Sequence, residues 1–122
     1  MDRAAAGLVC SGTATLESAY FGLPMVILYR VAWLTWVVGK RLVRVPHLGM
    51  PNLLAGREIV REFLQDAAQP GPIAAEIERL LSDPAPQQAA LAEVIASLGA
   101  PGAGTRAAAA VARELAAQKL RI

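Results

Sequence analysis

Apolar and polar residues along the first 65 positions predict strands and helices in turn. Two short apolar runs, "AGLVC" at 6–10 and "PMVILYR" at 24–30, have the length of buried strands and are bounded by turn residues. Between them, "TATLESAYFG" predicts a helix whose start is supplied by Ser11 or Thr13 and whose end is supplied by Gly22.

Residues 23–39, "LPMVILYRVAWLTWVVG", approach the length of a membrane span, but Pro24 and Arg30 interrupt the run. We therefore divide it into the second strand and a helix at 32–44. The following residues predict a short extended piece at "VPHLGM", a loop at "PNLLAG" and a helix at "REIVREFLQ".

From residue 70 onward the pattern is helical only. Two helices are expected first, and each places four apolar residues on one face: Ile73, Ile77, Leu80 and Leu81 in the first, and Leu91, Val94, Ile95 and Leu98 in the second. A third helix is expected at "TRAAAAVARELAAQKL", with Thr105 as its cap.

This order of elements indicates an α/β fold. Strands separated by helices form a parallel sheet with helices on both faces, so we expect part of a doubly wound sheet followed by C-terminal helices. We divide the chain into an α/β region at 1–69 and a helical region at 70–122, which packs on the first region or on a partner.

Composition narrows the class of protein. The chain has 122 residues, the size of one domain, and 55% apolar against 18% charged residues argues against disorder. A net charge of +2 and six aromatic residues do not suggest nucleic-acid binding. The single cysteine, Cys10, excludes an internal disulfide and a multi-cysteine zinc site. The N-terminus has no signal-peptide pattern, so we expect a cytoplasmic protein. With one cysteine and one histidine, we expect no metal site.

The most informative chemistry lies in "SGTATLE", directly after the first strand. Ligands of parallel sheets gather beyond the carboxyl ends of the strands, where backbone N–H groups and a helix N-terminus attract anions. Gly12 leaves room for a phosphate, Ser11 and Thr13 add hydroxyl groups, and Glu17 lies one turn later, where it can accept bonds from a ribose. A simple helix cap with a solvated acid has the same spacing, so spacing alone leaves both interpretations open.

Two other residues with reactive side chains have weaker claims to a functional role. His47 is the only histidine, and we expect a structural role for it rather than that of a general base or metal ligand. Nothing in the sequence near Cys10 indicates a nucleophile. The apolar helix at 32–44 belongs to the core or touches a membrane surface or acyl chains. The residues of that second interpretation are Trp33, Trp36, Lys40, Arg41 and Arg44.

Two blocks, "SGTATLE" and "PNLLAGRE", occur in an order and at a separation that resemble the C-terminal domain of lipid-A-disaccharide synthases. These are glycosyltransferases of the GT-B architecture. The resemblance runs from about Leu8 to about Gln65 and continues more loosely through the terminal helices. It implies that the α/β region is the C-terminal, Rossmann-like half of a GT-B fold.

The resemblance also implies a reaction: inverting transfer of 2,3-diacylglucosamine from UDP onto 2,3-diacylglucosamine 1-phosphate (lipid X), with release of UDP, in lipid A synthesis. No cofactor is implied. By the same analogy Ser11, Gly12 and Thr13 hold the diphosphate, Glu17 takes the ribose, and Asn52 faces the nucleotide-sugar. Two further residues, Arg57 and Gln65, either bind the donor or serve structure: Arg57 could pair with Glu17, Glu58 or Glu62, and Gln65 could cap its helix.

The resemblance implies that the chain corresponds to the later part of such an enzyme, without the acceptor domain, and we see no convincing general base in it. We therefore expect no activity from this chain alone. The resemblance further implies a peripheral location at the inner membrane and permits a homodimer. Two alternatives stay open: another GT-B transferase with a different UDP-sugar, or a non-catalytic module that binds a nucleotide or a membrane.

Overall fold

The structure, a computed structural model, describes residues 3–10, 12–30 and 46–119. Three strands, five helices and a short 3-10 helix follow one another along these residues. Their order is β1 (Gly7–Cys10), α1 (Thr13–Tyr20), β2 (Met25–Tyr29), α2 (Met50–Ala55), β3 (Glu62–Leu64), the 3-10 helix (Gln65–Ala67), α3 (Pro70–Ser82), α4 (Ala85–Ser97) and α5 (Ala103–Lys119).

The strands form a parallel sheet in the order β1-β2-β3, which confirms the predicted α/β class. Gly7 pairs with Met25, and Ile27 pairs with Glu62. The central strand β2 is the most buried because helices cover both of its faces. Met25, Val26 and Ile27 are fully buried, and burial of each stabilises the fold by about 1.5–3 kcal/mol.

Alternate residues of β2 enter two separate hydrophobic clusters. Met25 and Ile27 pack with Ala19 of α1 and Leu91 of α4. Val26 packs with Phe63 of β3 and Leu80 of α3. Because successive side chains of a strand point to opposite faces, the sheet lies between α1, α2 and α4 on one side and α3 on the other.

The buried side chain of Gln87 joins α4 to two backbone segments, and its sequence position gave no sign of this role. Its Oε1 accepts a hydrogen bond from Met25 N at 2.7 Å, and its Nε2 donates to Met25 O at 3.1 Å and to Ile59 O at 3.3 Å. Gln87 thus supplies the partners that a strand neighbour would give to the start of β2.

Several predicted boundaries were wrong. "PNLLAG" was expected to be a loop, but α2 covers Met50–Ala55, and Pro51 occupies its first turn, where a missing N–H does no harm. "REIVREFLQ" was expected to be a helix, yet it is a connection followed by β3. "VPHLGM" contributes no strand among its described residues, 46–50.

The C-terminal helices lie where they were expected, with three differences. α5 begins at Ala103, so Thr105 lies inside the helix and is not its cap. Leu81 and Leu98 are about half exposed, so neither belongs to the apolar face to which it was assigned. The predicted helix at 32–44 lies outside the described residues. Within those residues no helix combines the length and apolar character that a membrane span requires.

Candidate functional site

The carboxyl edge of the sheet is where the strand-to-helix turns lie. β1 ends at Cys10 and is followed by Gly12, β2 ends at Tyr29 and is followed by the exposed Arg30, and β3 ends at Leu64 and is followed by Gln65. Because the strands are parallel, these three connections leave the same edge. The structure therefore brings the turn at Gly12 and Gln65 to one side of the molecule.

Gly12 forms an open turn directly before α1. Its φ of 136° lies in a region that residues with a Cβ rarely adopt, and no atom lies within 4 Å of the position where a Cβ would be. Gly12 is the N-cap of α1, but no side chain caps the helix there. The expectation that Thr13 supplies the start is wrong because Thr13 is the first helical residue, and Ser11 lies outside the described residues.

The buried side chain of Thr15 fixes the peptide that follows Gly12. Its Oγ1 donates a hydrogen bond of 2.7 Å to Gly12 O, and its backbone N donates one of 3.1 Å to the same oxygen. In a trans peptide the carbonyl oxygen and the next amide hydrogen point in opposite directions. The N–H of Thr13 therefore points away from α1, as binding of an anion at a helix N-terminus requires.

Glu17 lies one turn into α1, as its spacing predicted. It is exposed, and no hydrogen bond or ion pair joins its carboxylate to another described residue. Thr13 is exposed as well. The start of α1 thus presents a hydroxyl group, a backbone N–H and a carboxylate within about one helical turn.

Asn52 differs from these residues because it is completely buried and fully hydrogen-bonded within the chain. Its Nδ2 donates to Val60 O and to Glu62 Oε1, both at 2.7 Å. Its Oδ1 accepts from Ile59 N at 2.8 Å and from Val60 N at 2.9 Å. Contact between Asn52 and a nucleotide-sugar stays a prediction, and it would require one of these bonds to break.

Glu62 is the second buried polar residue of this cluster. Its side chain is 6% exposed and accepts hydrogen bonds from Leu48 N at 2.9 Å and from Gly49 N at 3.0 Å, in addition to that from Asn52. The half-buried His47 places Nδ1 4.0 Å from Glu62 Oε1. Asn52 and Glu62 together tie the start of α2 to the start of β3.

The two remaining candidates, Arg57 and Gln65, lie at opposite ends of β3. Arg57 is exposed, five residues before the amino end of β3, and pairs with Glu93 at 3.7 Å rather than with Glu17, Glu58 or Glu62. Gln65 directly follows the carboxyl end, and its φ of 51° is the only positive value for a non-glycine residue among the described residues. The helix that Gln65 was expected to cap is not formed, because Glu62–Leu64 is β3. Positive φ at such a position often accompanies a functional role.

Five other predicted contact residues lie outside the described residues: Trp33, Trp36, Lys40, Arg41 and Arg44. In the described part of the chain, no group of His, Cys, Asp and Glu side chains has the arrangement of a metal site. Cys10 ends β1 and is exposed, whereas the sequence suggested a buried position.

The sequence did not indicate Thr15 or Glu62, because a buried hydrogen-bonding role leaves no mark in a pattern of apolar positions.

Comparison with known proteins gives a consistent result. A family model described as lipid-A-disaccharide synthetase matches residues 1–113. The lipid-A-disaccharide synthase of Anaeromyxobacter dehalogenans is 51% identical over 106 residues, which cover 84% of this chain and 28% of that protein. The synthase of Geobacter sulfurreducens is 48% identical over 114 residues, which cover 91% of this chain and 30% of the relative.

The chain therefore spans between a quarter and a third of the length of these relatives. The family model, in contrast, covers nearly all of the chain, including both blocks from which the resemblance was drawn. This chain belongs to the lipid-A-disaccharide synthetase family.

Proposed function

We propose that this chain is the part of a lipid-A-disaccharide synthase that binds the UDP-sugar donor. The complete enzyme would transfer 2,3-diacylglucosamine from UDP to 2,3-diacylglucosamine 1-phosphate. The observation that carries the proposal is the turn at Gly12, which is open, has a positive φ, and directs the N–H of Thr13 away from α1. In this proposal the ligand of the turn is the diphosphate of the UDP-sugar donor, because backbone N–H groups at a helix N-terminus favour anions.

In this proposal each group at the edge has a distinct task. The amide of Thr13 and the N-terminus of α1 bind the diphosphate, with Ser11 and Thr13 contributing hydroxyl groups. Glu17 accepts hydrogen bonds from the ribose hydroxyls. Gln65 contacts the donor from the end of β3. Arg57 stays outside the site because it precedes the amino end of that strand and already pairs with Glu93.

Titration of the 122-residue chain with UDP and with uridine by calorimetry tests this assignment. We expect binding of UDP and much weaker binding of uridine, because uridine has no phosphate groups for the turn. Gly12→Ala should weaken UDP binding roughly tenfold, because a Cβ disfavours this backbone conformation by about 1–3 kcal/mol and binding would then have to restore the turn.

Gly56→Ala is the matched control. Gly56 also has a positive φ, 66°, and open space around a Cβ, but it ends α2 and lies away from the turn. Its substitution should lower stability without changing UDP affinity. Equal effects of both substitutions on UDP binding, or no binding of UDP by the wild-type chain, would contradict the assignment.

The ribose contact has a separate test. Glu17→Ala should weaken binding of UDP roughly tenfold, because the variant loses one or two hydrogen bonds between the carboxylate and the ribose hydroxyls. The same substitution should hardly affect 2′,3′-dideoxyuridine diphosphate, which has no hydroxyl groups at those positions. If both nucleotides respond equally, Glu17 does not contact the ribose.

Two wider parts of the proposal concern surfaces. Peripheral contact with the inner membrane would use Trp33 and Trp36 beside the basic residues of 40–44, so changing both tryptophans to serine should weaken association with anionic liposomes. A homodimer would use α5, whose described side chains are all exposed and include Val111 and Leu115 one turn apart. Leu115→Glu should then shift the mass measured by light scattering to that of a monomer.

The chain alone should show no disaccharide synthesis, because it spans less than a third of the relatives and an inverting transfer also needs an acceptor site and a general base. An assay with radiolabelled donor and acceptor checks this expectation directly. Turnover by the purified chain would overturn it.

A further inference from the structure

Glu62 is the most constrained charged residue in the described part of the chain. Its carboxylate accepts three N–H hydrogen bonds, from Leu48, Gly49 and the side chain of Asn52. These donors belong to the connection that enters α2 and to α2 itself, whereas Glu62 is the first residue of β3. One side chain thus holds the start of a helix against the sheet.

The fit around this carboxylate leaves no room for adjustment. Gly49 lies between Ile27 and Glu62, so that a Cβ on Gly49 would overlap Cδ1 of Ile27 and lie 3.2 Å from Oε1 of Glu62. The φ of Gly49 is −80°, so glycine is needed here for close approach and not for backbone freedom.

We propose that Glu62 is a positioning residue for the nucleotide-sugar site: its carboxylate holds the backbone of residues 48–49 and the side chain of Asn52, and so fixes α2 beside α1. The inference rests on the proposed function. It gives Glu62 no contact with the ligand, because the side chain is buried and its oxygens already accept three bonds.

The connection to the ligand runs through packing. α2 packs against α1, and α1 begins at the turn of Gly12. Glu62 also lies three residues before Gln65 on the same strand, so it ties the end of that strand to the helices on one face. A loosened start of α2 would remove one of the elements that pack against α1, the others being α4 and β1, and would leave the open turn less ordered. Binding would then have to order it, which weakens affinity.

The negative charge matters because all three partners are donors. A glutamine at this position has one acceptor oxygen and one donor NH2 group, so the NH2 group would face a backbone N–H. Glu62→Gln therefore keeps the shape of the side chain but removes at least one bond of the cluster. Glu58→Gln is the matched control, since Glu58 lies in the connection that leads to β3 and is exposed.

The test measures UDP affinity of the 122-residue chain by calorimetry, at a temperature at which circular dichroism shows each variant fully folded. We expect Glu62→Gln to weaken UDP binding roughly tenfold and Glu58→Gln to change it by less than about twofold. Amide exchange at Leu48 and Gly49 should accelerate only in the first variant. Gly49→Ala, which displaces the same backbone and keeps the carboxylate, should weaken UDP binding as well.

The possible failures are distinct. If the wild-type chain binds UDP and both Glu62→Gln and Gly49→Ala bind it equally well, the cluster serves stability alone and the inference is wrong. If binding weakens while exchange at Leu48 and Gly49 is unchanged, Glu62 does not act through this backbone, and the inference also fails. If the wild-type chain does not bind UDP, the proposed function falls and the inference falls with it.

Discussion

Asn52→Asp tests the buried hydrogen-bond cluster most directly because it changes one atom group and almost no volume. The substitution replaces the NH2 group, which donates to Val60 O and Glu62 Oε1, by an oxygen that can only accept when ionised. The other oxygen can still accept from the amides of Ile59 and Val60. The variant therefore loses half of the cluster and keeps the other half.

The expected loss of stability follows from these contacts. Two hydrogen bonds disappear, at about 1 kcal/mol each, and a charged oxygen then faces two acceptor oxygens in a site with no solvent exposure. Removing a partner from a buried charged group typically lowers the free energy of unfolding by about 3–5 kcal/mol. We expect a loss of this size at neutral pH. It is a large share of the total free energy of unfolding of a domain, which is about 5–15 kcal/mol.

The loss should depend on pH in a defined direction. Burial and the facing carboxylate disfavour ionisation of the new carboxyl group, so its pKa in the folded state lies above that in the unfolded state. The penalty is then complete above the folded pKa and shrinks as pH falls toward the unfolded value. The stability difference between variant and wild type should thus be smaller at about pH 5 than at about pH 8.

Urea denaturation followed by circular dichroism provides the measurement, with Gln88→Glu as the control. Gln88 is exposed on α4, and its Nε2 donates one hydrogen bond of 3.2 Å to Gly22 O, so the same exchange of an amide for an acid there should lower stability by no more than about 1 kcal/mol. If Asn52→Asp unfolds within about 1 kcal/mol of the wild type at neutral pH, Asn52 does not hold the four hydrogen bonds described, and the reasoning is refuted.

Substitutions at four further positions have expected outcomes. Thr15→Val should lower the free energy of unfolding by about 1 kcal/mol and weaken UDP binding several-fold, whereas Thr15→Ser, which keeps the hydroxyl group, should keep most of the affinity. Gln65→Gly keeps the positive φ accessible but removes the side chain, so it should reduce UDP affinity in calorimetry if Gln65 contacts the donor. Gln87→Leu leaves Met25 N without its partner and should lower stability by about 2 kcal/mol in urea without changing UDP affinity. A hydrogen bond to Glu76 raises the pKa of Arg79, but the pair is exposed enough that Glu76→Gln should change the urea midpoint only slightly.

The sequence was most informative where local pattern and long-range packing agree. The run "MVILY", bounded by Gly-Leu-Pro, became β2, and helical spacing after residue 70 became α3 and α4. In these elements the apolar period is set by the face that each element buries, so the period is visible without knowledge of the partner.

The prediction failed where a distant side chain decides the backbone conformation. Residues 57–65 have apolar positions at helical spacing. However, the Oδ1 of Asn52 accepts hydrogen bonds from the backbone N–H groups of Ile59 and Val60, and the carbonyl oxygen of Arg61 accepts one from Ile27 N. These groups are then not available for helical hydrogen bonds, and the segment continues as a strand. No local pattern contains that information, because Asn52 and Ile27 lie on other elements.

The structure also separates two kinds of residue among the predicted ligand contacts. Thr13 and Glu17 are exposed at the carboxyl edge, as ligand contacts must be, whereas Asn52 is buried and bonded within the chain, as is the side chain of Glu62, which the sequence did not indicate. The first kind can contribute bonds to a ligand. The second kind lowers the conformational freedom that a ligand would otherwise have to remove. Loss of an exposed residue should therefore weaken affinity at unchanged stability, while loss of a buried one should reduce both together, and measuring the two quantities on the same variants tells the roles apart.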